Sequence, residues 1–419
     1  MKFIYSLALL LYQTGVRLAA ITGNKKAKLW LEGRKNLFKN LSALQPKKSR
    51  RYWVHCSSLG EFEQGRPLIE EIKKRDPDVE IILTFFSPSG YEIRKNFPLA
   101  KHVLYLPLDS ARNSSRFIEA IQPDLVFFIK YEYWFHYLSQ LNKKRIPVYF
   151  VSSIFRPSQI FFKWYGNFFR NMLKMVTHFF VQDNASVELL KHAGITECTL
   201  TGDTRFDRVA DFRTNAKQIP QLESFSKDHL IFLAGSTWPE DEALIIPELH
   251  NLVAKGVRVI FFPHEVNTDS INRLEIDIRK THPTLNTQVF SRASDNELKV
   301  ADILLVDTIG MLSSAYAYAK VAYIGGGFGK GIHNILEAAT YGIPVLFGPN
   351  FEKFREAKDL VRLKGAFSVQ NAGEFSEVVS KFILNPSISE AAGKIGKDYV
   401  QNQTGATAKI LNYLEERNK

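Results

Sequence analysis

Short runs of β-branched and aromatic residues alternate with amphipathic stretches through the first half of the chain, from Arg51 onward. The runs that predict strands are residues 52–55, 80–84, 103–106, 125–129, 148–151 and 179–181. Most of the stretches between them predict helices. Because parallel neighbouring strands need crossover connections, this alternation predicts a parallel sheet covered by helices on both faces, as in Rossmann-like domains.

The alternation is interrupted at residues 211–228, a polar segment that contains Pro220 and lacks a clear apolar period. The pattern then resumes, with strands predicted at 230–234, 257–262, 303–306, 321–324 and 345–347 and helices at 240–254 and 311–319. The sequence therefore predicts an α/β protein with two Rossmann-like domains that face each other across a ligand-binding cleft. The predicted parts are an amino-terminal helix with a basic flank at 1–40, a first domain at 41–210, a linker at 211–228, a second domain at 229–404 and a last helix at 405–419.

Residues 3–21 are rich in leucine, alanine and tyrosine and predict an apolar helix. Gln13, Thr14 and Arg17 interrupt the ~20 apolar residues that a spanning helix needs, so we expect the helix to lie in or dip into a bilayer. Basic residues that anionic headgroups on the cytoplasmic side would hold follow at Lys25, Lys26, Lys28, Arg34, Lys35 and Lys39. A cleaved signal peptide and a first helix packed on the core are the alternatives.

A second candidate surface, residues 155–180, mixes aromatic and basic side chains. Its members are Phe161, Phe162, Trp164, Tyr165, Phe168 and Phe169 together with Arg156, Lys163, Arg170 and Lys174. Interleaved rings and cations suit a lipid–water interface or single-stranded nucleic acid. A buried helix with basic ends fits the same pattern.

Lysine and arginine outnumber aspartate and glutamate by 55 to 43, and the net charge of +12 indicates an anionic partner or surface. The two cysteines, Cys56 and Cys198, provide no disulfide framework, and no cluster of cysteine and histidine predicts a zinc site. We therefore expect a reduced, cytoplasmic compartment, no metal ion and no bound cofactor.

Five glycines fall within the seven positions from Gly325 to Gly331, after a predicted strand. Gly325, Gly326 and Gly327 let the backbone approach a bulky anion, and a helix predicted to begin at His333 directs its positive end toward the same place, so the segment predicts a nucleotide-phosphate cradle. Asn334 follows His333, and Glu337 lies one helical turn after it, where a carboxylate can accept hydrogen bonds from ribose hydroxyls. The spacing disfavours a P-loop ATPase and a dehydrogenase.

A carboxylate follows the first predicted strand, in the segment from His55 to Glu61. Ser58, Gly60 and Glu61 open a helix at the carboxyl edge of the sheet. A carboxylate there can take the proton from an attacking hydroxyl if its surroundings raise its pKa toward neutrality. Stabilisation of the helix N-terminus by Glu61, with Ser57 or Ser58 as the cap, is the alternative role. Glu132, just after the strand at 125–129, is the competing carboxylate.

Two strand exits in the second half carry further polar residues. Gly235, Ser236 and Thr237 follow one strand and His264 follows the next, where they could hold a nucleotide or a sugar. Ser236 also fits a helix cap, and His264 fits a structural histidine. No Ser-His-Asp arrangement supports acyl transfer.

Taken in order, these motifs resemble the 3-deoxy-D-manno-oct-2-ulosonic acid (Kdo) transferases of lipopolysaccharide synthesis, which are membrane-associated glycosyltransferases with the GT-B fold. The resemblance spans nearly the whole chain, through the segments 55–61, 123–134, 202–207, 235–237, 307–310 and 325–349.

The resemblance implies transfer of Kdo from CMP-Kdo to the glucosamine disaccharide of a lipid A precursor of the lipid IVA type, with inversion at the anomeric carbon. The resemblance implies Glu61 as the base that deprotonates the acceptor hydroxyl. It also implies that the protein is associated with the cytoplasmic face of the inner membrane. The residues expected to bind donor or substrate are Ser58, Gly60, Glu132, Gly235, Ser236, Thr237, His264, Gly310, Gly325, Gly326, Gly327, His333, Asn334 and Glu337.

The chain departs from the family pattern at three places. The family's Pro-Arg-His-Pro-x-Arg segment is Phe-Pro-His-Glu-Val-Asn at residues 262–267, so the arginine contacts to an anion are missing or come from another residue. The family's Asp-Thr-x-Gly-Glu lacks its carboxylate, because Met311 stands in that position, and Ile332 replaces a glycine.

Two other functions fit parts of the pattern. A GT-B transferase that uses a UDP-sugar on a lipid acceptor shares the domain organisation. A non-catalytic membrane-binding or RNA-binding protein would share the basic charge. We expect CMP-Kdo, a lipid A precursor and an anionic membrane surface as partners, and no nucleic acid.

Overall fold

The computed structural model describes residues 1–42, 44 and 46–417. The chain divides into two compact units. The amino-terminal unit comprises Met1–Arg208 and the chain from Thr404 onward, and the carboxy-terminal unit comprises Val209–Gln403. Each unit is built on one parallel sheet, which confirms the α/β fold with two Rossmann-like units.

The sheet of the amino-terminal unit has seven described strands in the order β3-β2-β1-β4-β5-β6-β7. They are β1 (Arg51–Cys56), β2 (Glu80–Phe85), β3 (His102–Tyr105), β4 (Leu125–Ile129), β5 (Val148–Ser153), β6 (His178–Val181) and β7 (Cys198–Leu200). All neighbouring pairs are parallel. The sequence pattern predicts the first six, whereas β7 is a short edge strand that it misses.

Helices connect these strands. They are α1 (Lys2–Ile21), α2 (Lys25–Lys35), α3 (Leu37–Ser42), α4 (Leu59–Arg75), α5 (Pro88–Arg94), α6 (Ala111–Ile121), α7 (Phe135–Lys143), α8 (Asn167–Leu173), α9 (Asn184–His192) and α10 (Arg205–Thr214), with a 3₁₀ turn at Ile160–Phe162. The boundary between the two units falls inside α10.

Both faces of the amino-terminal sheet are buried. Trp53 belongs to one apolar cluster and Val54, the next residue of β1, belongs to another on the opposite face. Phe128 and Phe127 of β4 alternate in the same way. Side chains of consecutive strand residues point to opposite faces, so a strand covered by helices on both sides reads as a continuous apolar run.

The sheet of the carboxy-terminal unit also has seven described strands, in the order β10-β11-β9-β8-β12-β13-β14. They are β8 (Leu230–Thr237), β9 (Val257–Pro263), β10 (Thr287–Val289), β11 (Ile303–Leu305), β12 (Val321–Ile324), β13 (Val345–Phe347) and β14 (Ala366–Ser368). The two edge strands, β10 and β14, are absent from the sequence prediction.

The helices of this unit are α11 (Pro220–Ser226), α12 (Pro239–Ile245), α13 (Leu249–Val253), α14 (Thr268–Thr281), α15 (Asp295–Val300), α16 (Leu312–Ala315), α17 (Leu336–Ala339), α18 (Arg355–Leu363), α19 (Ala372–Leu384) and α20 (Pro386–Asn402). Two 3₁₀ turns lie at Ile246–Glu248 and Tyr316–Tyr318. Residues 211–228, predicted as a linker, contain the end of α10 and all of α11 and belong to this unit.

The last helix, α21 (Ala406–Arg417), returns to the amino-terminal unit. Ile410 and Leu414 are buried in the apolar cluster on one face of that unit's sheet. Asp207 accepts hydrogen bonds from the backbone N–H groups of Gly405 and Thr407 and so caps the start of α21. Residues 418 and 419, which the sequence analysis includes in this helix, lie outside the described residues.

Helix α1 is apolar but mostly exposed, since Ala20 is its one buried residue. Phe3, Leu11 and Ile21 are 77%, 64% and 81% exposed. Tyr5 contacts the rest of the unit through a hydrogen bond of 2.6 Å from its hydroxyl to Asp109. An 18-residue stretch of α1 has a mean hydropathy of 1.4. By length and composition alone, the helix is long and apolar enough to cross a membrane.

The aromatic and basic stretch at 155–180 divides between the core and the surface. Phe155 and Phe161 are buried in the apolar cluster, and Arg170 donates hydrogen bonds to backbone carbonyls within the stretch. Trp164 is 90% exposed, beside the half-exposed ring of Tyr165. Most of the rings therefore stabilise the core, and these two present apolar surface to solvent.

Candidate active site

The carboxyl ends of β1 and β4 lie side by side, since His55 pairs with Phe128 in the parallel register. β1 leads into α4, whose first turn carries Glu61, and β4 leads into the segment that carries Glu132. Parallel strands end at the same edge of their sheet. The two carboxylates singled out in the sequence therefore lie near each other, and the charge of Glu132 acts on Glu61.

Glu61 is a mostly buried carboxylate held by backbone amides. Its Oε2 accepts hydrogen bonds from the N–H groups of Ser57 at 2.5 Å and Ser58 at 3.1 Å. Burial raises the pKa of Glu61 to about 8 and the charge of Glu132 adds to the rise, whereas the two backbone hydrogen bonds and Lys130 oppose it. The capping contacts and a proton affinity suited to a general base thus occur together in this side chain.

Ser58 and Gly60 border this carboxylate. Ser58 is the N-cap residue of α4 and has an extended backbone. A Cβ added to Gly60 would have no atom within 4 Å, so the surface at this point is open. An acceptor can approach the backbone here without displacing a side chain.

Glu132 is buried and occupied by donors. Its Oε2 lies 2.9 Å from Nε2 of His55 and 2.7 Å from Nε1 of Trp134. On the far side of the imidazole ring, Nδ1 lies 2.8 Å from Oγ1 of Thr84, which also accepts a hydrogen bond from Nε1 of Trp53. Glu132 is thus part of a buried polar chain, and neither His55 nor Thr84 was singled out in the sequence as a functional residue.

The Gly-Asp-Thr-Arg-Phe-Asp segment at 202–207 holds elements of the amino-terminal unit together. Asp203 accepts a hydrogen bond from Gln64 of α4 and pairs with Arg205 at 2.9 Å. Thr204 donates to the backbone carbonyl of Gln64 and contacts Oγ of Ser152. These contacts join α4, β5 and α10, so the segment positions the helix that carries Glu61.

A cavity of about 510 Å³ opens at the carboxyl ends of β8, β9 and β11 in the carboxy-terminal unit. It brings together Ser236, His264 and Gly310, which the sequence analysis assigned to the donor. The other lining residues are Phe262, Pro263, Glu265, Val266, Asn267, Val306, Thr308, Ile309 and Leu312. A concave site at the carboxyl edge of a parallel sheet is where α/β proteins bind nucleotides and sugars.

Three rings stack at the side of this cavity. The His264 ring stacks on Trp238 and on His333, with a centroid distance of 4.5 Å to each. Nε1 of Trp238 donates a hydrogen bond of 3.1 Å to Nε2 of His333. Burial lowers the pKa of His333 to about 4 and also lowers the pKa of His264, so both imidazoles are neutral near pH 7. Because Nε2 of His333 accepts, its proton lies on Nδ1.

The glycine segment is packed more tightly than the predicted phosphate cradle requires. Gly325, Gly326 and Gly327 are buried, and Cβ atoms on Gly325 and Gly327 would lie 2.2 Å from O of Ser236 and 2.5 Å from N of Gly348. The N–H of Gly325 donates to Gly235 and that of Gly326 to Asp241. Both amides are therefore bound within the protein. The glycine segment packs against Ser236 at the end of β8 and against Gly348, which follows β13.

The prediction that a helix begins at His333 is wrong. The described helix is α17, which begins at Leu336 and has four residues. Asn334 precedes it, accepts a hydrogen bond from the N–H of Leu336 at 3.2 Å and donates one to Glu337 at 3.1 Å. Gly331, with a φ of 131°, precedes the segment without helix or strand that leads to α17. Glu337 therefore does not follow His333 by one helical turn, and Asn334 holds its carboxylate.

Asp241 is a functional candidate that the sequence analysis missed. Its carboxylate accepts hydrogen bonds from the N–H of Gly326 at 2.8 Å, the N–H of Trp238 at 2.9 Å and the hydroxyl of Tyr323 at 2.8 Å. It thus joins α12, β12 and the glycine segment behind the cavity. The available signal was an acidic residue three positions after Trp238, the N-cap residue that follows the strand, which is the spacing of a helix-capping carboxylate.

Gly235 and Thr237 have structural contacts. A Cβ on Gly235 would lie 2.3 Å from the hydroxyl of Tyr316. The hydroxyl of Thr237 donates to Glu242 at 3.1 Å. Between them, Ser236 adopts a left-handed φ of 54° at an irregularity in the pairing of β8 with β9, and its side chain lines the cavity. Strained backbone of this kind often occurs at ligand sites.

Across residues 1–42, 44 and 46–417, no group of three or more His, Cys, Asp or Glu side chains is placed to hold a metal ion.

The family model described as 3-Deoxy-D-manno-octulosonic-acid transferase (kdotransferase) matches residues 32–208. Three similar proteins carry the name 3-deoxy-D-manno-octulosonic acid transferase. The protein from Rickettsia felis is 30% identical over 80% of this chain and 72% of its own length. The protein from Rickettsia bellii is 27% identical over 87% and 85%. The protein from Haemophilus influenzae is 27% identical over 87% of both chains.

Similar solved structures share the fold at low sequence identity. UDP-GlcNAc 2-epimerase from Neisseria meningitidis bound to UDP-GlcNAc has a TM-score of 0.62, with 16% identity over 88% of this chain and 100% of that chain. MurG from Acinetobacter baumannii has a TM-score of 0.54, with 10% identity over 88% and 100%. Both likenesses support the two-unit GT-B fold.

Proposed function

The chain belongs to the family of 3-deoxy-D-manno-octulosonic acid (Kdo) transferases, which are glycosyltransferases, and on this premise we propose that it transfers Kdo from CMP-Kdo to a lipid A precursor of the lipid IVA type. The mechanism rests on the surroundings of the Glu61 carboxylate. It is mostly buried, has a pKa raised to about 8, and lies at a strand exit beside the open surface of Gly60.

In the proposed reaction, Glu61 removes the proton from the acceptor hydroxyl as the hydroxyl oxygen attacks the anomeric carbon of Kdo. The bond from that carbon to the CMP phosphate breaks, and CMP leaves with the bonding electron pair. Attack on the face opposite to CMP inverts the configuration at the anomeric carbon. The proton ends on Glu61 and is released to water, which a carboxyl with a pKa near neutrality permits.

We assign the donor to the cavity of the carboxy-terminal unit. The left-handed Ser236, the neutral His264 and the positive-φ Gly310 line it, and His333 lies in the adjoining ring stack with Nδ1–H as a donor. Asn334 and Glu337, which hydrogen-bond each other, are proposed contacts to the nucleotide ribose or to Kdo. Gly325, Gly326 and Gly327 shape the loop through their close packing, and the amides of Gly325 and Gly326 are bound within the protein.

We also propose that the protein works on the cytoplasmic face of the inner membrane. Helix α1 exposes a row of large apolar side chains and is followed by lysines and arginines. Apolar side chains enter the acyl region of a bilayer while cations bind anionic headgroups. A lipid-linked acceptor is then available without leaving the membrane.

The test is incubation of the full chain with CMP-Kdo and a tetra-acylated lipid A precursor, with the products identified by mass spectrometry. We expect masses increased by Kdo, and the mass also gives the number of residues added. Transfer from a UDP-sugar but not from CMP-Kdo would overturn the donor assignment, as would tighter binding of UDP than of CMP. Salt-dependent RNA binding without CMP binding would overturn the enzyme itself.

The Glu61→Gln variant tests the base. Glutamine retains an oxygen that can accept the hydrogen bonds from Ser57 and Ser58, but it cannot take a proton. We expect turnover to fall by about 10²-fold or more while CMP affinity stays within twofold of wild type. Full turnover in this variant would exclude Glu61 as the base.

A further inference from the structure

A chain of buried hydrogen bonds runs from the interior of the amino-terminal unit to Glu132. Nε1 of Trp53 lies 2.8 Å from Oγ1 of Thr84, and this oxygen lies 2.8 Å from Nδ1 of His55. Nε2 of His55 lies 2.9 Å from Oε2 of Glu132, which Nε1 of Trp134 approaches to 2.7 Å. Trp53, Thr84 and His55 are fully buried and Glu132 is 5% exposed, so the chain is screened from water.

The partners of Thr84 and His55 define the direction of this chain. An indole N–H can only donate, so Oγ1 of Thr84 accepts from Trp53, and both its second lone pair and its own proton remain available to Nδ1 of His55. Oε2 of Glu132, which accepts from Trp134, takes a second hydrogen bond from Nε2–H of His55, so Nδ1 accepts the hydroxyl proton of Thr84. The carbonyl oxygen of Thr84, 3.2 Å from Nδ1, is the acceptor that the opposite tautomer would use. In that tautomer, Nε2 and Oε2 would both lack a proton unless Glu132 were protonated.

In the first arrangement Oε2 of Glu132 accepts two N–H donors, from His55 and from Trp134. A fixed negative charge at the exit of β4 acts on Glu61 at the exit of β1, and it raises the proton affinity of Glu61.

Other charged and titratable groups act in the same region. Lys130 opposes the effect of Glu132 on Glu61. The remaining groups are the thiol of Cys56, which is buried next to Glu61, Glu132 and Glu63, the hydroxyls of Tyr131 and Tyr133, and Arg156, Asp203 and Arg205, which act on Tyr131. Asp203 and Arg205 pair with each other, and Glu63 pairs with Arg94. Among these charged groups, Glu132 is therefore the anion that raises the pKa of Glu61.

We propose that His55 and Glu132 are positioning residues for the transfer: the relay of hydrogen bonds from Trp53 through Thr84 and His55 holds the Glu132 carboxylate at the exit of β4, where its charge acts on Glu61 at the adjoining exit of β1. This inference rests on the proposed function of Glu61. It assigns Glu132 no contact with the substrate, and it gives a role to two residues, His55 and Thr84, that touch neither donor nor acceptor.

The first test is the pH profile of kcat/KM for the acceptor. Wild type should lose activity as pH falls through the pKa of Glu61. In Glu132→Gln, which keeps the shape and the acceptor oxygen, the acid limb should move down by about one pH unit and the plateau should fall, because a weaker base is ionised earlier. Glu63→Gln removes a nearby charge on the same helix as Glu61 and should leave the limb unmoved. An unshifted limb in Glu132→Gln, or an equal shift in Glu63→Gln, would overturn the proposal.

The second test needs no loss of function. ¹⁵N NMR of the full chain labelled at histidine should show His55 as the Nε2–H tautomer, and the Nδ1–H tautomer would overturn the relay. Thr84→Val should shift the acid limb in the same direction as Glu132→Gln, and Thr84→Ser, which restores a hydroxyl, should return it toward wild type. Full turnover in Glu61→Gln would refute the base itself, whereas an inactive Glu61→Gln with an unshifted Glu132→Gln would refute only this inference.

Discussion

At the scale of single residues, the Glu61 carboxyl holds its proton in the folded chain over a pH range in which the unfolded chain releases it. Burial next to Glu132 raises its pKa from 4.5 to about 8. Between these values the folded state binds a proton that the unfolded state has lost, so the free energy of unfolding falls as pH rises through this window. Below the window Glu61 is protonated in both states, and above it the effect is complete.

Glu61→Gln should remove this pH dependence. Relative to wild type, we expect the variant to gain about 3 kcal/mol of stability between pH 5 and pH 9, since one pKa unit corresponds to about 1.4 kcal/mol and the remaining exposure reduces the effect. Denaturant unfolding of the two proteins at both pH values measures the difference. An identical pH dependence would show that Glu61 is ionised in the folded protein near neutrality.

At the same scale, the sequence predicted which carboxylates lie at the strand exits but not their partners. Glu61 and Ser58 are three positions apart, so their contact follows from local helix chemistry. His55 and Glu132 are 77 positions apart, and Trp238 and His333 are 95 positions apart. These pairs depend on which strands become neighbours, and no local pattern encodes that.

At the scale of elements, the central strands follow from apolar runs that are buried on both faces. The edge strands β7 (Cys-Thr-Leu), β10 (Thr-Gln-Val) and β14 (Ala-Phe-Ser) have three residues each and include polar residues, so they form no apolar run. The three-residue strands β11 and β13 are apolar throughout, and the sequence predicts them. The helix expected at His333 failed for a different reason. Gly331 has a positive φ, and Asn334 accepts the N–H of Leu336, so the helix begins three residues later than expected and has four residues.

Helix α21 follows the carboxy-terminal unit in the chain but packs on the amino-terminal one. Ile410 is fully buried there, so Ile410→Ala should destabilise the amino-terminal unit by about 3 kcal/mol through lost burial and an unfilled cavity. Lys409→Ala, on the exposed side of the same helix, should change stability by less than about 0.5 kcal/mol. Denaturant unfolding followed by a probe in each unit distinguishes the two cases, and loss confined to the carboxy-terminal unit would contradict the packing of α21.

At the scale of the whole molecule, α1 exposes large apolar side chains to water, which soluble proteins usually bury. Leu10 and Leu11 are 56% and 64% exposed, and neither contributes to a core. Large exposed apolar patches flanked by basic residues are typical of membrane-binding surfaces.

Leu10→Gln combined with Leu11→Gln should weaken binding to vesicles that contain anionic phospholipid. Burial of a leucine side chain is worth roughly 1.5 kcal/mol or more, so we expect at least a tenfold loss of affinity in co-sedimentation. The control is Leu384→Gln, since Leu384 at the end of α19 is also 64% exposed but lies far along the chain from α1. Equal binding of all three proteins would exclude α1 as the membrane contact.

The sequence by itself determined the α/β class, the central strands of both sheets, the apolar first helix and the positions of Glu61, Glu132, Ser236 and His264 at strand exits. These features arise from periodicity and from residues close together in the chain, and each can be recognised locally. The tertiary structure alone decided the edge strands, the return of α21, the internal bonding of the glycine segment and the relay through His55. Each of these depends on contacts between distant segments, whose partners exist only after the sheets have formed.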